Sequence, residues 1–144
     1  MRAEQDVLSG AALAVFKLNG QFLALAEELA RPVGLTAAWW QVLGAVLWQP
    51  LPVAGVAREM GITRQSVQRI ADLLVDRGLA EYRDNPAHQR AKLLAPTDAG
   101  RAAIGRIDPA HAAAARALAK RIGRDRFAEI VAGLRELSAA LDAG

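Results

Sequence analysis

Residues 53–72, Val-Ala-Gly-Val-Ala-Arg-Glu-Met-Gly-Ile-Thr-Arg-Gln-Ser-Val-Gln-Arg-Ile-Ala-Asp, restrict the fold more than any other part of the chain. Ala57 is small, so a second helix can cross close above it. Gly61 follows four residues later, where the chain must turn and a positive φ is open to glycine. Val67 and Ile70 then place two β-branched side chains three residues apart on one face of the next helix. Two short helices joined by a glycine turn over a small residue make a helix-turn-helix.

The flanking sequence extends that unit. Residues 5–30 read as one long helix in which Leu8, Ala11, Val15, Leu18, Phe22, Leu25 and Leu29 alternate steps of three and four, an a/d seam that needs a partner surface. Arg31-Pro32-Val33-Gly34 breaks it, Thr36 caps a second helix running to about Trp48, and Gln49–Pro52 ends that one. Trp48, beside the prolines, is expected to pack against the base of the hairpin that follows. A third helix spans about 53–60 and a fourth about 63–77, with Thr63 as N-cap and Gly78 just past the end. Its core side is expected from Val67, Ile70, Leu73 and Leu74. Leu79–Arg83 and Ala91–Ala95 are short extended segments around the turn-rich loop Asp84–Arg90, which makes a wing. Pro96-Thr97 starts a further helix that Asp108-Pro109 interrupts or restarts, and a last apolar helix covers about 125–142 after Gly123.

Composition removes several function classes. There is no cysteine, which excludes disulfides, thiolate zinc sites and thiol redox chemistry, and His88 and His111 do not form a ligand pair at helical spacing. No metal or cofactor is therefore expected. There is no Gly-rich phosphate loop, H-E-x-x-H or nucleophile elbow, and serines occur only at 9, 66 and 138, so the chain does not read as an enzyme. No uninterrupted apolar run approaches the roughly 20 residues of a membrane span, and the N-terminus, Met-Arg-Ala-Glu-Gln-Asp, carries acids where a secretory signal carries bases. A cytoplasmic protein without a membrane partner is the expectation. The net charge is only +3, but its placement is informative: 53–106 holds 9 basic and 6 acidic residues, whereas 1–52 holds 3 and 4. Of the 18 basic residues 15 are arginine, the side chain suited to bidentate contact with phosphate or guanine.

The ordered landmarks resemble the MarR family of transcriptional regulators. They are Leu35-Thr36 with Val42-Leu43, Val56-Ala57, Met60-Gly61, Thr63 through Ile70, Leu74 with Gly78-Leu79, Arg83, Asn85-Pro86, Arg90, and Leu94 with Thr97 and Gly100. The resemblance implies a mainly α (α+β) fold: a winged helix-turn-helix at 35–100, flanked by a dimerisation region built from the N-terminal helix at 1–34 and the C-terminal helices at 101–144. It implies a homodimer that binds inverted-repeat operators on double-stranded DNA, acts as a repressor, and is released by a small aromatic or phenolic effector. Two positions depart from the family pattern. His88 stands where an aspartate commonly precedes the wing arginine by two residues, so the pairing that orients Arg90 is either lost or supplied by Asp84. Trp39 stands where the family is usually polar.

Within that frame the roles can be assigned by chemistry. Gln65, Gln68 and Arg69 are expected to read bases, since Gln pairs with adenine and Arg with guanine through two hydrogen bonds. Asp72 projects on the same side. Thr63, Arg64 and Ser66 are expected to position phosphates, Arg90 to enter the minor groove, and Arg83, with Lys92, to touch phosphate from the strands. Phe22, Trp39, Trp40 and Leu43 are the candidates for an effector pocket. The rival readings are a winged helix used only for protein contacts, which would favour apolar residues on the exposed face of 63–77, and a DNA-binding regulator that answers to no ligand.

Overall fold

A computed structural model describes residues 2–143. Contacts divide the chain into two compact units, Met1–Ile107 and Asp108–Gly144.

The first unit opens with α1 (Arg2–Ala30) and a 3₁₀ turn, Arg31–Val33, closed by Gly34 at φ +82°. There follow α2 (Ala37–Ala45), β1 (Leu51–Pro52), α3 (Val53–Met60), α4 (Arg64–Asp76), β2 (Ala80–Arg83), β3 (Leu93–Pro96) and the first part of α5 (Asp98–Ile122). The seam of α1 is used unequally. Leu29 and Ala30 join the core at its C-terminal end, and the Glu27 carboxylate accepts the N–H of Ala37 at 2.7 Å, satisfying a donor at the start of α2. Val7, Leu8, Leu13, Val15 and Phe16 stay exposed. Together with the 3₁₀ turn, α1 is long and apolar enough, by length and composition alone, to cross a membrane. Counting uninterrupted apolar residues missed this, because Ser9, Lys17, Asn19 and Gln21 break the run while the average over the helix stays apolar.

Thr36 is the N-cap of α2, accepting the N–H of Trp39. The helix stops at Ala45, three residues earlier than expected, and the turn before Pro50 carries Trp48 into solvent, 93 % exposed. Trp48 therefore does not pack against the hairpin base. The residue before a proline avoids helical ψ, so the chain must leave α2 before Gln49, and the bends that do so aim the indole outward.

The helix-turn-helix forms as its residues dictate. Gly61 sits at φ +68° and its N–H bonds to the carbonyl of Ala57, which is buried where α3 and α4 pack. Thr63 caps α4, accepting the N–H of Ser66. Val67, Ala71 and Leu74 are wholly buried, with Ile70 partly so. Leu73, expected in the core, is exposed: with 67 and 74 fixed inward, helical spacing gives the intervening inward place to position 71 and turns position 73 about 100° away from 74.

The sheet is antiparallel in the order β1-β3-β2, with Leu51 opposite Leu94 and Tyr82 also opposite Leu94 on the other side. Sequence pattern gives the hairpin β2–β3 but not β1, two residues long and half proline, which exists only because β3 offers a free edge to it. Leu94, Val42, Leu43, Val46, Val56, Ile104 and Ile107 complete one core beneath the sheet and helices.

In the second unit α5 continues from Asp108 to Ile122, and Gly123 at φ +97° separates it from α6 (Arg124–Ala143). Pro109 neither interrupts nor restarts α5; the helix runs through it. Proline lacks the N–H that would bond the Gly105 carbonyl, but the alanine-rich stretch after it has the strongest helix propensity available. None of the residues of α6 is buried within the chain, and Ile130, Leu134 and Leu141 are exposed apolar side chains.

Candidate nucleic-acid interface

The buried stripe of α4 leaves Arg64, Gln65, Gln68, Arg69 and Asp72 exposed on its opposite side. The hairpin β2–β3 faces that surface. Between them lies an open cleft of about 990 Å³ lined by Arg64, Gln65, Gln68, Tyr82, Arg90 and Lys92, with His88 at its wing side. Four of the eight candidate DNA-contacting residues, Arg64, Gln65, Gln68 and Arg90, thus share one space. Arg69 lies on a second, shallower surface with Gln65, Gln68 and Asp72.

The others are placed differently. Thr63 and Ser66 are bound to each other, the Thr63 hydroxyl donating to Ser66 Oγ at 2.9 Å while it caps the helix. Arg83 lines neither space and forms an ion pair with Glu81 at 2.9 Å, which offsets its charge locally. The loop of the wing is braced by Asn85, whose Oδ1 accepts from Ala87 N and whose Nδ2 donates to the Ala91 carbonyl. His88 Nδ1 accepts the N–H of Ala91 at 3.2 Å, so His88 holds backbone. Asp84 pairs with Lys92 at 3.0 Å and not with Arg90. The Arg90 guanidinium has neither hydrogen bond nor ion pair among the described residues, and its five donors face solvent.

One residue that sequence reasoning missed stands in the middle of the cleft. Tyr82, on β2, donates its hydroxyl proton to Asp72 Oδ1 at 2.5 Å and accepts from Gln68 Nε2 at 2.9 Å; the same Nε2 donates to Asp72 Oδ1 at 3.0 Å. Burial, and then the Asp72 carboxylate that its proton bonds, push the Tyr82 phenol up to about 12. The signal was present in the i,i+4 spacing of Gln68 and Asp72, but which strand residue meets them depends on the register of the wing. Because the chain has a single tyrosine, ultraviolet titration reads this group alone. Little phenolate should form at pH 10, where a free tyrosine is half ionised. The raised value means the folded state holds the proton more tightly than the unfolded chain. The associated stability is therefore complete below pH 10 and is lost as the pH rises towards 12. A midpoint near 10 in folded protein, with the fold followed by circular dichroism, would contradict the network.

The candidate effector residues do not share one environment. Leu43 is wholly buried in the core, Trp39 and Trp40 are half-buried against it, and Phe22 is 51 % exposed on α1. The Arg77 guanidinium lies over the Trp39 ring, 5.4 Å from its centroid. A cation above an indole explains how a tryptophan occupies a position on the rim of the core.

A two-helix unit with a glycine turn, a polar outward face and a three-stranded wing defines a winged helix-turn-helix protein. Residues 33–91 match the family model described as MarR family. An uncharacterized protein of Mycobacterium tuberculosis is 44 % identical over 93 residues, 65 % of each chain, so the match spans just under two thirds of that relative's length. Among solved structures, a MarR family transcription regulator superposes with a TM-score of 0.78 at 23 % identity, covering 99 % of this chain and 97 % of that one. The transcriptional repressor CouR, solved bound to a 23-mer DNA duplex, superposes with a TM-score of 0.77 at 26 % identity, covering 87 % and 89 %. CouR from Rhodococcus jostii, solved bound to p-coumaroyl-CoA, gives 0.71 at 24 %, covering 91 % and 90 %.

Proposed function

We propose that this chain is a sequence-specific DNA-binding transcriptional regulator of the cytoplasm, a repressor acting as a homodimer on an inverted-repeat operator. The observation that carries the reading is the division of α4: Val67, Ala71 and Leu74 are wholly buried, while Arg64, Gln65 and Gln68 open onto one cleft with the wing's Arg90 and Lys92. A protein-docking winged helix would expose apolar side chains there; Leu73 is the only large one. Base edges fall to Gln65, Gln68 and Arg69, phosphates to Thr63, Arg64, Ser66 and Arg83, and the minor groove to Arg90.

The homodimer rests on the arms, 1–34 and 101–144, flanking a DNA-binding domain at 35–100. Val7, Leu8, Leu13, Val15 and Phe16 on α1, and Ile130, Leu134 and Leu141 on α6, are exposed apolar side chains that a monomer would leave in water. Two recognition helices would then meet successive major grooves, roughly 34 Å apart. Release by a small aromatic or phenolic ligand near Trp39 and Trp40 is supported by the family likeness and by the ligand bound to CouR. Such a ligand acts by preferring one arm spacing over another.

The experiment is fluorescence anisotropy with labelled genomic duplexes over a range of salt. Binding should weaken steeply and linearly on a log–log plot, with a slope of about −0.9 per phosphate contacted. Affinity indifferent to salt, or equal for every sequence, would overturn the reading.

A further inference from the structure

The wing is anchored in the core only at its base. Ala80, Leu94, Ala95 and Pro96 are buried, whereas residues 86–90 at its tip are exposed. Beyond the base, nearly every side-chain hydrogen bond of the wing stays inside it. Arg83 bonds Glu81, Asn85 bonds the backbone of Ala87 and Ala91, His88 bonds that of Ala91, and Lys92 bonds Asp84. Tyr82 is the exception among the described residues. Its hydroxyl donates to Asp72 Oδ1 at 2.5 Å and accepts from Gln68 Nε2 at 2.9 Å. One phenol oxygen thus joins β2 to two residues a turn apart on α4. The two acceptors of Gln68 Nε2, the phenol oxygen and Asp72 Oδ1, lie side by side and share a single N–H. Gln68 therefore keeps its other N–H and its carbonyl for DNA.

The Tyr82 ring also packs against the core, but packing leaves the hairpin free to rock, whereas a short hydrogen bond fixes one direction. Arg90 lies on the far side of Tyr82 from the buried base, so any rotation there is magnified at the tip. A wing held in one orientation loses less entropy when it binds. We propose that Tyr82 and Asp72 are positioning residues: their hydrogen bond fastens the wing to the recognition helix. Arg90 then reaches its groove as α4 enters the neighbouring one, and the two contacts are energetically coupled. The inference rests on the DNA-reading function proposed above and specifies how its two contact surfaces act together. It also accounts for an aspartate on a DNA-facing surface, since the Asp72 carboxylate holds the wing and takes no part in attracting phosphate.

A double-mutant cycle on the full chain tests it, with fluorescence anisotropy on a duplex selected by the native protein from a randomised pool. The four proteins are the native chain, Tyr82→Phe, Arg90→Ala and the double variant. Tyr82→Phe should lower affinity by about 2- to 10-fold, the worth of one hydrogen bond. Its melting temperature should hardly change, because the ring keeps its packing and Asp72 stays bonded to Gln68. Arg90→Ala should weaken the native chain by about 10-fold but the Tyr82→Phe chain by about threefold or less, since an unfastened wing has already lost most of that contact. A residue that merely supported the fold would leave the two effects independent. An equal effect of Arg90→Ala in both backgrounds, zero included, overturns the inference. Asp72→Asn retains an acceptor for the phenol and should keep the coupling, whereas Asp72→Ala should lose it; coupling that survives Asp72→Ala also overturns the inference. Ultraviolet titration of the single tyrosine supplies an arm without DNA: Asp72→Ala should bring its ionisation down from about 12. A midpoint unmoved by Asp72→Ala shows the bond absent and defeats this inference while leaving DNA reading intact. A native chain that binds no duplex defeats the DNA-reading function itself, and this inference with it.

Discussion

Gly100→Ala should be the most damaging single methyl group that can be added to this chain. A Cβ at position 100 would lie 2.0 Å from the carbonyl oxygen of Leu79 and 3.1 Å from its carbon, with Leu43 Cδ2 a further 3.4 Å neighbour. The obstacle is backbone, and it is held. Leu79 O accepts the N–H of Thr97 at 3.1 Å, the Thr97 hydroxyl donates to Gly78 O at 2.6 Å, and the same hydroxyl oxygen accepts the N–H of Gly100 at 3.1 Å. The first turn of α5 is thereby fastened over the start of β2. Relieving the clash requires α5 to move outward by more than 1 Å, a distance set by ordinary contact at 3.4 Å or beyond. That shift would draw Ala103, Ile104 and Ile107 out of the core. Ordinary overpacking costs about 1–3 kcal/mol, and this case should reach or exceed the top of that range. Against a total stability of about 5–15 kcal/mol, thermal unfolding followed by circular dichroism should show a melting temperature lower by about 10 °C or more. Gly105→Ala is the control. It lies in the same helix with nothing within 4 Å of the added methyl, and should stabilise by about 0.5–1 kcal/mol. Equal melting temperatures for the two variants would refute the account.

That contrast shows what can be read from sequence and what cannot. Gly61 and Thr63 were legible because turn and cap chemistry is local: a positive φ between two helices calls for glycine, and a hydroxyl before a polar helix start calls for an N-cap. The buried stripe of α4 was legible at Val67 and Leu74 through periodicity, and misjudged at Leu73 only because a nearby Ala71 carries less hydrophobic signal than a leucine. Close approach at Gly100 is not local. It depends on a carbonyl 21 residues earlier in the chain (Leu79), as β1 depends on the edge of β3 and the fixing of Gln68 depends on Tyr82. Arg77 over Trp39 belongs to the same kind. The arginines and glutamines of the candidate interface were legible as a set, since the helix-turn-helix says which side of α4 faces out. Their individual freedom was not, because the pairing of Lys92 with Asp84 across the hairpin and of Tyr82 with Asp72 and Gln68 depends on the register of the wing.

Removing Arg64 and Arg90 together should produce the largest loss of DNA affinity available from two side chains. They approach one cleft from opposite sides, Arg64 from the first turn of α4 and Arg90 from the wing, and neither is held by an acid among the described residues. Arg83 and Lys92 are already paired, so they would have to break an ion pair to take their place. The wing presents Arg90 on a backbone pinned by Asn85 and His88, which lowers the ordering entropy lost on binding. In Arg64→Ala/Arg90→Ala, affinity at physiological salt should fall by about 100-fold or more, with each charge-assisted contact contributing ~1.5–3 kcal/mol. The two single variants separate the roles. If Arg64 holds a phosphate, its removal should weaken all sequences alike and reduce the salt slope by about one. If Arg90 enters the minor groove, its removal should also abolish any preference for A·T flanks, because a narrow groove concentrates negative potential around a guanidinium. A double variant that binds within threefold of the native chain, at unchanged salt slope, would place the DNA elsewhere on the molecule.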